Sequence, residues 1–259
     1  MIEEITSTQN AKVKKWQHLT TKKGHQKYHQ YLVEGWHIVG DAITAEQPVV
    51  QIIATAEQLN LHQHQFPENV ETFEITDEIA KKLSDTVTPQ GIFAVLDILA
   101  AEHVDPETAT GAWLLLDRIQ DPGNIGTMVR TADAAGFRGV VFGNGTSSQY
   151  TPKVVRAMQG SQFHIQITHG NLEEWVSALE ARKIPVYGSA LNAEAKDYST
   201  VTPQSEFGLI LGNEGQGMSE KLMTQTTTNL YIPIKGQAES LNVAVAAGIL
   251  MFKLNQNLA

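Results

Sequence analysis

The second half of the chain alternates short apolar runs with segments of helical periodicity, and this alternation constrains the fold most strongly. Runs such as 113–116 and 208–211 are short, apolar and bounded by polar turns, which is typical of strands buried on both faces. Because helix-like segments separate these runs, we predict an α/β fold with a mainly parallel sheet covered by helices on both sides. Ligands of such sheets bind at the carboxyl ends of the strands.

Three segments rich in Gly, Asn and Pro follow apolar runs, where such a sheet places its ligand site. The first covers 117–126 and continues to Arg130, the second covers 211–217, and the third combines 232–234 with 240–242. Glycines let a backbone approach a ligand closely, and turns that open into helices present backbone donors to it. We therefore expect the three segments to surround one ligand.

The first segment contains two candidate functional side chains. We expect Pro122, Gly123 and Gly126 to form a tight turn before a helix that carries Arg130. Asn124 would tolerate the backbone angles of that turn and could cap the helix. Arg130 follows Gly126 by one helical turn, so its guanidinium would face an open groove and suit a phosphate or carboxylate. Taken alone, each side chain is also consistent with a structural role, as a cap or as an ordinary surface arginine.

The other two segments add three candidates. Glu214 is the only charged residue of 212–217, where it could accept hydrogen bonds from a ligand or from loop amides. Ser240 precedes an apolar run and is predicted to cap the final helix, with Asn242 in the first turn of that helix, close to a substrate or a loop. The alanines and Gly248 of this helix indicate close packing, within the fold or across a dimer interface.

The N-terminal part of the chain has its own α/β pattern. Strand-like runs such as 31–33 and 92–96 alternate with helix-like segments, which predicts a small domain over residues 1–97. Residues 98–111 lose periodicity and collect acidic residues, Pro and Thr, so we interpret them as a linker. The domain with the three motifs would then span 112–259.

The charge distribution bears on the class of ligand. A net charge of −9 argues against nucleic acid, but residues 12–31 contain six lysines and no acidic residue. A basic N-terminal patch on an acidic body can hold RNA, although a solvated helix face would give the same pattern. The lysines of this basic patch are Lys12, Lys14, Lys15, Lys22, Lys23 and Lys27.

Composition excludes several other classes of protein. The chain has no cysteine, which removes disulfides, thiolate nucleophiles and cysteine zinc sites. The longest helix-compatible apolar run, 243–252, is far shorter than the roughly 20 residues of a membrane span. The first residues lack the features of a signal peptide, so we expect a cytoplasmic protein without a membrane segment.

Two further patterns suggest other ligands. Residues 143–148 resemble the beginning of a dinucleotide-binding loop that lacks its third glycine, so a nucleotide-dependent oxidoreductase is one alternative. The histidine pairs at 62 and 64 and at 25 and 29 have ligand-like spacing, but no H-E-x-x-H motif accompanies them, and we expect no metal.

In order and spacing, the three motif segments resemble the SpoU/TrmH family of S-adenosylmethionine-dependent RNA ribose 2′-O-methyltransferases, in the SPOUT superfamily, over about residues 113–255. This resemblance implies a trefoil-knotted domain, a homodimer with active sites near the subunit interface, and a bent S-adenosylmethionine held by backbone of the knot loops. It assigns three residues to the cofactor, Gly212, Ile232 and Leu241. It assigns five to the catalytic set, Asn124, Arg130, Glu214, Ser240 and Asn242.

The resemblance also implies a substrate, an RNA ribose, in ribosomal RNA more than in transfer RNA. Because a guanidinium is a poor base, we expect Arg130 to align the adjacent phosphate and polarise the 2′-hydroxyl. The stretch 31–35 looks like part of the ribosomal-protein-like RNA-binding domain that often precedes this catalytic domain. Residues 24–29 depart from that pattern, which leaves the choice of RNA open. The remaining alternative is an RNA-binding assembly factor on a catalytically silent methyltransferase fold.

Overall fold

The computed structural model describes residues 2–98 and 104–255, which divide into two units. The first unit comprises residues 2–98 together with Ser148–Phe163, and the second comprises residues 104–147 and 164–255. The segment Ser148–Phe163 comes from the part of the chain that we assigned by sequence to the second domain. Of the predicted linker, residues 99–103 lie outside the described residues.

Helices and strands alternate along most of the chain. The N-terminal elements are β1 (Ile2–Ile5), α1 (Ala11–His18), α2 (Lys22–Tyr28), β2 (Gln30–Glu34), α3 (Trp36–Thr44), β3 (Val49–Thr55), α4 (Ala56–His62), β4 (Glu71–Ile75), α5 (Asp77–Leu83) and β5 (Ile92–Asp97). The later elements are β6 (Ala112–Asp117), α6 (Pro122–Ala134), β7 (Gly139–Gly143), α7 (Pro152–Met158), β8 (Gln166–Gly170), α8 (Leu172–Ala181), β9 (Val186–Ser189), β10 (Lys196–Asp197), β11 (Phe207–Gly212), α9 (Glu220–Gln225), β12 (Thr228–Tyr231) and α10 (Val243–Leu254).

The first unit is built on a five-stranded sheet in the order β1-β4-β3-β5-β2. β5 is antiparallel to both of its neighbours, whereas β1, β4 and β3 are parallel. Val13, Trp16 and Leu19, which follow each other at intervals of three, are fully buried beneath α1. Trp16 meets Phe73 edge to face, with 5.3 Å between the ring centroids. This spacing in the sequence predicts a helix over residues 10–19, and α1, with Asn10 as its cap, confirms it.

The second unit contains a seven-stranded sheet in the order β10-β12-β9-β11-β6-β7-β8. Its strand pairs are parallel, as the alternation of apolar runs and helices predicted. β6 and β11 pair in the middle of the sheet, and every residue of both strands is buried. Their carboxyl ends therefore lie together, with Gly212 opposite Asp117.

The structure corrects the predicted beginnings of two helices. α6 begins at Pro122, and Asp121 rather than Asn124 is its cap, with the Asp121 carboxylate accepting a 2.9 Å hydrogen bond from the Asn124 amide. Proline suits this first helical position because the missing N–H has no partner there anyway. The tight turn predicted at 122–126 is therefore wrong. α10 begins at Val243, and its cap is Asn242, not Ser240.

Other differences concern short or polar elements. The sequence of 163–167 predicts a strand there, but β8 begins later, at Gln166. β1, α2, α4 and the two-residue β10 had no prediction. α2 escapes prediction because it is mostly polar and contains Gly24, whose missing side chain leaves space for the carbonyl of His18.

α10 packs on α6, so its small residues serve packing within the fold. A side chain at Gly248 would contact Thr131 at 3.5 Å, and Nδ2 of Asn255 donates to the carbonyl of Ala135 at 2.8 Å. Among the described residues, no helix is long and apolar enough to cross a membrane.

Candidate active site

The loop after β11 is held in shape by its own first residue. The side-chain oxygen of Asn213 accepts hydrogen bonds from the amides of Gly215 and Gln216, at 3.0 and 3.1 Å. Gly217 has a φ of 68°, and a Cβ at Gly212 would lie 2.1 Å from the amide nitrogen of Met218. Glycine is therefore required at Gly212 because the chain turns back on itself there. Asn213 had no predicted role; its position beside three glycines was the only signal.

Glu214, within this loop, is the centre of a hydrogen-bond network. Its Oε1 accepts from the Asp121 amide and from Nδ2 of Asn124, both at 3.1 Å, and its Oε2 accepts from the Gln120 amide at 3.3 Å. Partial burial alone would raise the pKa of Glu214. The hydrogen bonds from Asn124 and from the amides of Glu214 itself, Asp121 and Gln120 outweigh this effect and lower its pKa. Glu214 is thus an ionised acceptor that fixes the beginning of α6.

Asn124 continues the network to the third motif. Its Oδ1 accepts a 2.9 Å hydrogen bond from Nδ2 of Asn242. The Oδ1 of Asn242 accepts from the amides of Ala244 and Val245, at 2.9 and 3.3 Å, and so caps α10. Both amide groups are therefore fixed in orientation. The structure thus joins three predicted catalytic residues, one from each motif, into the chain Glu214–Asn124–Asn242.

The other two predicted catalytic residues are not bonded to this chain. Arg130 is exposed on α6, and its guanidinium makes no hydrogen bond or ion pair with any residue that the structure describes. Ser240 is exposed in the turn before Asn242. Both side chains are accessible to a ligand.

Ser240 lines a cavity of about 560 Å³ at the carboxyl ends of β9 and β12. Two predicted cofactor residues, Ile232 and Leu241, line the same cavity. The third, Gly212, is not among the lining residues, although its strand β11 pairs directly with β9.

The walls of this cavity combine exposed apolar side chains with one carboxylate. Leu191, Ile234 and Leu241 line it and are exposed large apolar side chains, with Leu191 83% exposed. Exposed apolar side chains around one concavity favour a flat hydrophobic ligand. Glu239 adds a carboxylate to the lining, which suits a cationic or hydroxyl-bearing ligand. The residues present therefore fit S-adenosylmethionine.

The loop that resembled a dinucleotide-binding loop has packing roles instead. The side chain of Gln120 donates to the carbonyl of Gly145, and Oγ1 of Thr146 donates to the carbonyl of Leu116 at 2.9 Å. A side chain at Gly143 would lie 2.7 Å from that same Leu116 carbonyl. These residues brace the end of β6.

The histidines with ligand-like spacing are engaged elsewhere. The ring of His62 stacks on Trp36 with 3.9 Å between the centroids, and burial lowers the pKa of His62. His25 is buried, its Nε2 lies 2.7 Å from the carbonyl of Leu19, and burial lowers its pKa. Within 2–98 and 104–255, no group of three or more His, Asp or Glu side chains is arranged to hold a metal ion.

The basic patch lies on α1 and α2 of the first unit. Lys12 forms a 2.7 Å ion pair with Glu3 and lies over the ring of Phe73. Lys15 is half-buried and lies 5.3 Å from the ring centroid of Tyr28. The exposed members are Lys14, Lys22, Lys23 and Lys27.

The fold and the network define a class of protein, an α/β protein whose ligand site consists of loops at the carboxyl ends of parallel strands. The sequence profile of the SpoU rRNA Methylase family matches residues 111–252, and that of the MRM3-like substrate binding domain matches residues 10–94. The chain therefore belongs to the SpoU rRNA methylase family.

Individual relatives agree with this assignment. The chain is 41% identical to the 23S rRNA (guanosine(2553)-2'-O)-methyltransferase RlmP of Bacillus subtilis (strain 168), over 98% of this chain and 99% of the relative. A crystal structure of an AdoMet-bound rRNA methyltransferase from Sinorhizobium meliloti superimposes with a TM-score of 0.88 at 28% identity. That similarity covers 100% of this chain and 99% of the other.

Proposed function

We propose that this protein transfers a methyl group from S-adenosylmethionine to a ribose 2′-hydroxyl of ribosomal RNA. One observation carries the proposal. The turn 240–242 belongs to the cavity through Ser240 and Leu241, and to the polar network through the 2.9 Å bond of Asn242 to Asn124. A ligand in the cavity therefore has fixed amide groups and a fixed carboxylate next to it. The family assignment and the relative that methylates 23S rRNA support the same reaction.

Each side chain has a distinct part in this proposal. S-adenosylmethionine, when bound, would supply an electrophilic methyl group on a sulfonium: the S–CH3 bond would break as the O–CH3 bond forms, with S-adenosylhomocysteine as the leaving group and the hydroxyl proton released to solvent. Arg130, with a guanidinium free of partners among the described residues, holds the RNA phosphate and polarises the 2′-hydroxyl. Asn124, Asn242 and Ser240 orient the ribose, and Glu214 fixes Asn124. Most of the rate gain then comes from alignment of the 2′-oxygen.

The cofactor residues of the proposal are Ile232 and Leu241, through the cavity walls, and Gly212, through the backbone at the end of β11. No metal is part of this mechanism. The intact chain Glu214–Asn124–Asn242 speaks against the alternative of a catalytically silent assembly factor.

RNA is held, in this proposal, by an N-terminal domain over residues 1–97, joined by a linker at 98–111 to the methyltransferase domain at 112–259. The match of residues 10–94 to a substrate binding domain supports the assignment of RNA binding to the N-terminal domain. The basic patch provides phosphate contacts, mainly through its exposed members Lys14, Lys22, Lys23 and Lys27. We propose that the protein acts on this substrate in the cytoplasm.

We also propose a homodimer that forms through α10. Apart from Lys253 in its last turn, this helix is apolar around its whole circumference, yet Val245 and Phe252, seven residues apart on one face, are 53% and 54% exposed. A helix that is apolar on all sides is normally buried on all sides. A second copy of the chain would cover this face. The trefoil knot implied by the resemblance is compatible with a sheet in which β12 and β11 lie on opposite sides of β9.

The test is a methyl-transfer assay with labelled S-adenosylmethionine and RNA from cells that lack the gene. We expect label in ribose of ribosomal RNA, and little label with transfer RNA. Arg130→Ala is the matched inactive variant, because Arg130 makes no bond that the fold needs. An absence of label with both RNA classes would contradict the proposal.

A further inference from the structure

Arg118, the first residue after β6, has an unusual backbone conformation. Its φ of 56° lies in the left-handed region, which a residue with a Cβ adopts only when the surrounding structure compensates. Sequence reasoning gave this residue no role. Its hydrogen bonds to the loop that carries Glu214 and to Asp117 supply the compensation.

The guanidinium of Arg118 reaches across to the 213–217 loop. Its Nη1 donates to Oε1 of Gln216 at 3.1 Å, and its Nη2 donates to the carbonyl of Gly217 at 3.3 Å. The backbone carbonyl of Arg118 accepts a 2.8 Å bond from Nδ2 of Asn213. One residue therefore holds both ends of the loop.

A buried carboxylate fixes the guanidinium in turn. Oδ1 of Asp117 accepts from Nε of Arg118 at 3.1 Å, and Asp117 is only 5% exposed. Its Oδ2 accepts from the amide of Ser219 at 2.7 Å, just beyond the loop. The planar guanidinium of arginine donates to the Asp117 carboxylate and to the acceptors of the loop at the same time, which the single ammonium group of a lysine cannot do.

We propose that Arg118 is a positioning residue for methyl transfer, because it holds the 213–217 loop so that Glu214 meets Asn124. The cavity residues are not among its partners, and it acts through Glu214 alone. This inference rests on the proposed methyltransferase activity, but the state of the loop can be measured without it.

The first measurement is hydrogen exchange of the ligand-free protein. In Arg118→Ala we expect amides of residues 213–219, and the amides of Gln120 and Asp121 that donate to Glu214, to exchange about 10-fold faster or more, with the rest of the second unit unchanged. Arg118→Lys should restore part of the protection. Lys183→Gly is the control, because Lys183 also has a positive φ, 61°, at the end of α8 outside the site. Protection of the loop in Arg118→Ala equal to that of the wild type overturns the proposal.

The second measurement separates positioning from a general loss of structure. Arg118→Ala should lower kcat about 10-fold and change the KM for S-adenosylmethionine by about 2-fold or less, since alignment of the ribose is affected and the cavity is not. In a Glu214→Gln background the same substitution should have little further effect on kcat. Independent, multiplicative effects of the two substitutions contradict the proposal.

Arg118→Gly separates the backbone strain from the loss of the guanidinium, because it lacks the guanidinium as Arg118→Ala does but also relieves the strain at the positive φ. We expect the same loss of kcat as in Arg118→Ala, whereas wild-type kcat would refute a role of the guanidinium. If Arg118→Ala does not fold, Gln216→Ala removes a single bond and should show a smaller effect in the same direction. A wild-type protein without activity on any RNA refutes the proposed function, while the exchange data still decide the role of Arg118.

Discussion

The charge of Glu214 should stabilise the second unit in a pH-dependent manner, and Glu214→Gln tests this. The substitution keeps the shape of the side chain but replaces one oxygen by an amino group. If the remaining oxygen faces Asp121 and Asn124, the amino group faces the amide of Gln120, and that 3.3 Å bond is lost. The bonds from the Asp121 amide and from Nδ2 of Asn124 remain, but they become weaker because their acceptor is no longer charged.

The size of the effect follows from these bonds. A hydrogen bond to a charged group contributes about 1.5–3 kcal/mol and a neutral one about 0.5–1.5 kcal/mol. Because Glu214 is exposed, we take the low end and expect a loss of about 1–2 kcal/mol at pH 7. For a unit of this size, this corresponds to about 2–8 °C in the melting temperature.

The sign of the pH dependence follows from the lowered pKa. The pKa of Glu214 is below its ordinary value of 4.5 in the folded state, so its contribution is present above that value. It is lost as the pH falls through the folded-state pKa. The difference in melting temperature between wild type and Glu214→Gln should therefore be constant from pH 7 to about 5 and shrink below about pH 4.

Calorimetric melting at several pH values measures this difference. The control is Glu180→Gln, because Glu180 is exposed on α8 and its carboxylate has no hydrogen bond to any described residue. A difference for Glu214→Gln that is absent at pH 7, or that persists unchanged at pH 3, would refute the reasoning from its hydrogen bonds.

Three other predictions concern catalysis, RNA and assembly. Arg130→Ala should lower kcat by about 100-fold or more and leave the melting temperature within about 1 °C, because the side chain bonds only to substrate; a large loss of stability in calorimetry would contradict this role. Lys22→Ala and Lys23→Ala should each weaken RNA binding and reduce the slope of log K against log salt concentration by roughly 0.7–0.9, measured by fluorescence anisotropy; an unchanged slope would remove these lysines from the interface. Phe252→Asp should convert dimers into monomers in sedimentation experiments, and monomeric wild-type protein would refute the proposed interface.

Local sequence patterns were sufficient to predict the parallel sheet of the second unit. The runs that became β6 and β11 are apolar because both faces of each strand are buried, and that requirement is visible in the sequence itself. The same applies to Val13, Trp16 and Leu19, whose spacing reflects one buried helix face.

The beginnings of the helices were less predictable from the sequence. Ser240 and Asn242 are both good caps, and only the chain path decides which of them precedes the first helical residue. Likewise, Asp121 caps α6 because its neighbour Pro122 is already helical. The choice between nearby capping residues depends on packing, which a local pattern does not contain.

The sequence by itself determined the parallel sheet, the places of the three motifs and the residue types that they bring to a ligand. Tertiary structure alone decided that Glu214 bonds to Asn124 and that Asn124 bonds to Asn242. It also decided that Arg118 holds the 213–217 loop. These partners are 90 or more residues apart. The loops after β6 and β11 meet because the two strands pair in one parallel register, with Gly212 opposite Asp117. Asn242 reaches Asn124 because α10 packs on α6. Burial pattern and backbone propensity are properties of a local stretch of sequence. A hydrogen bond between distant side chains depends on how the strands and helices pack, and it forms only on folding.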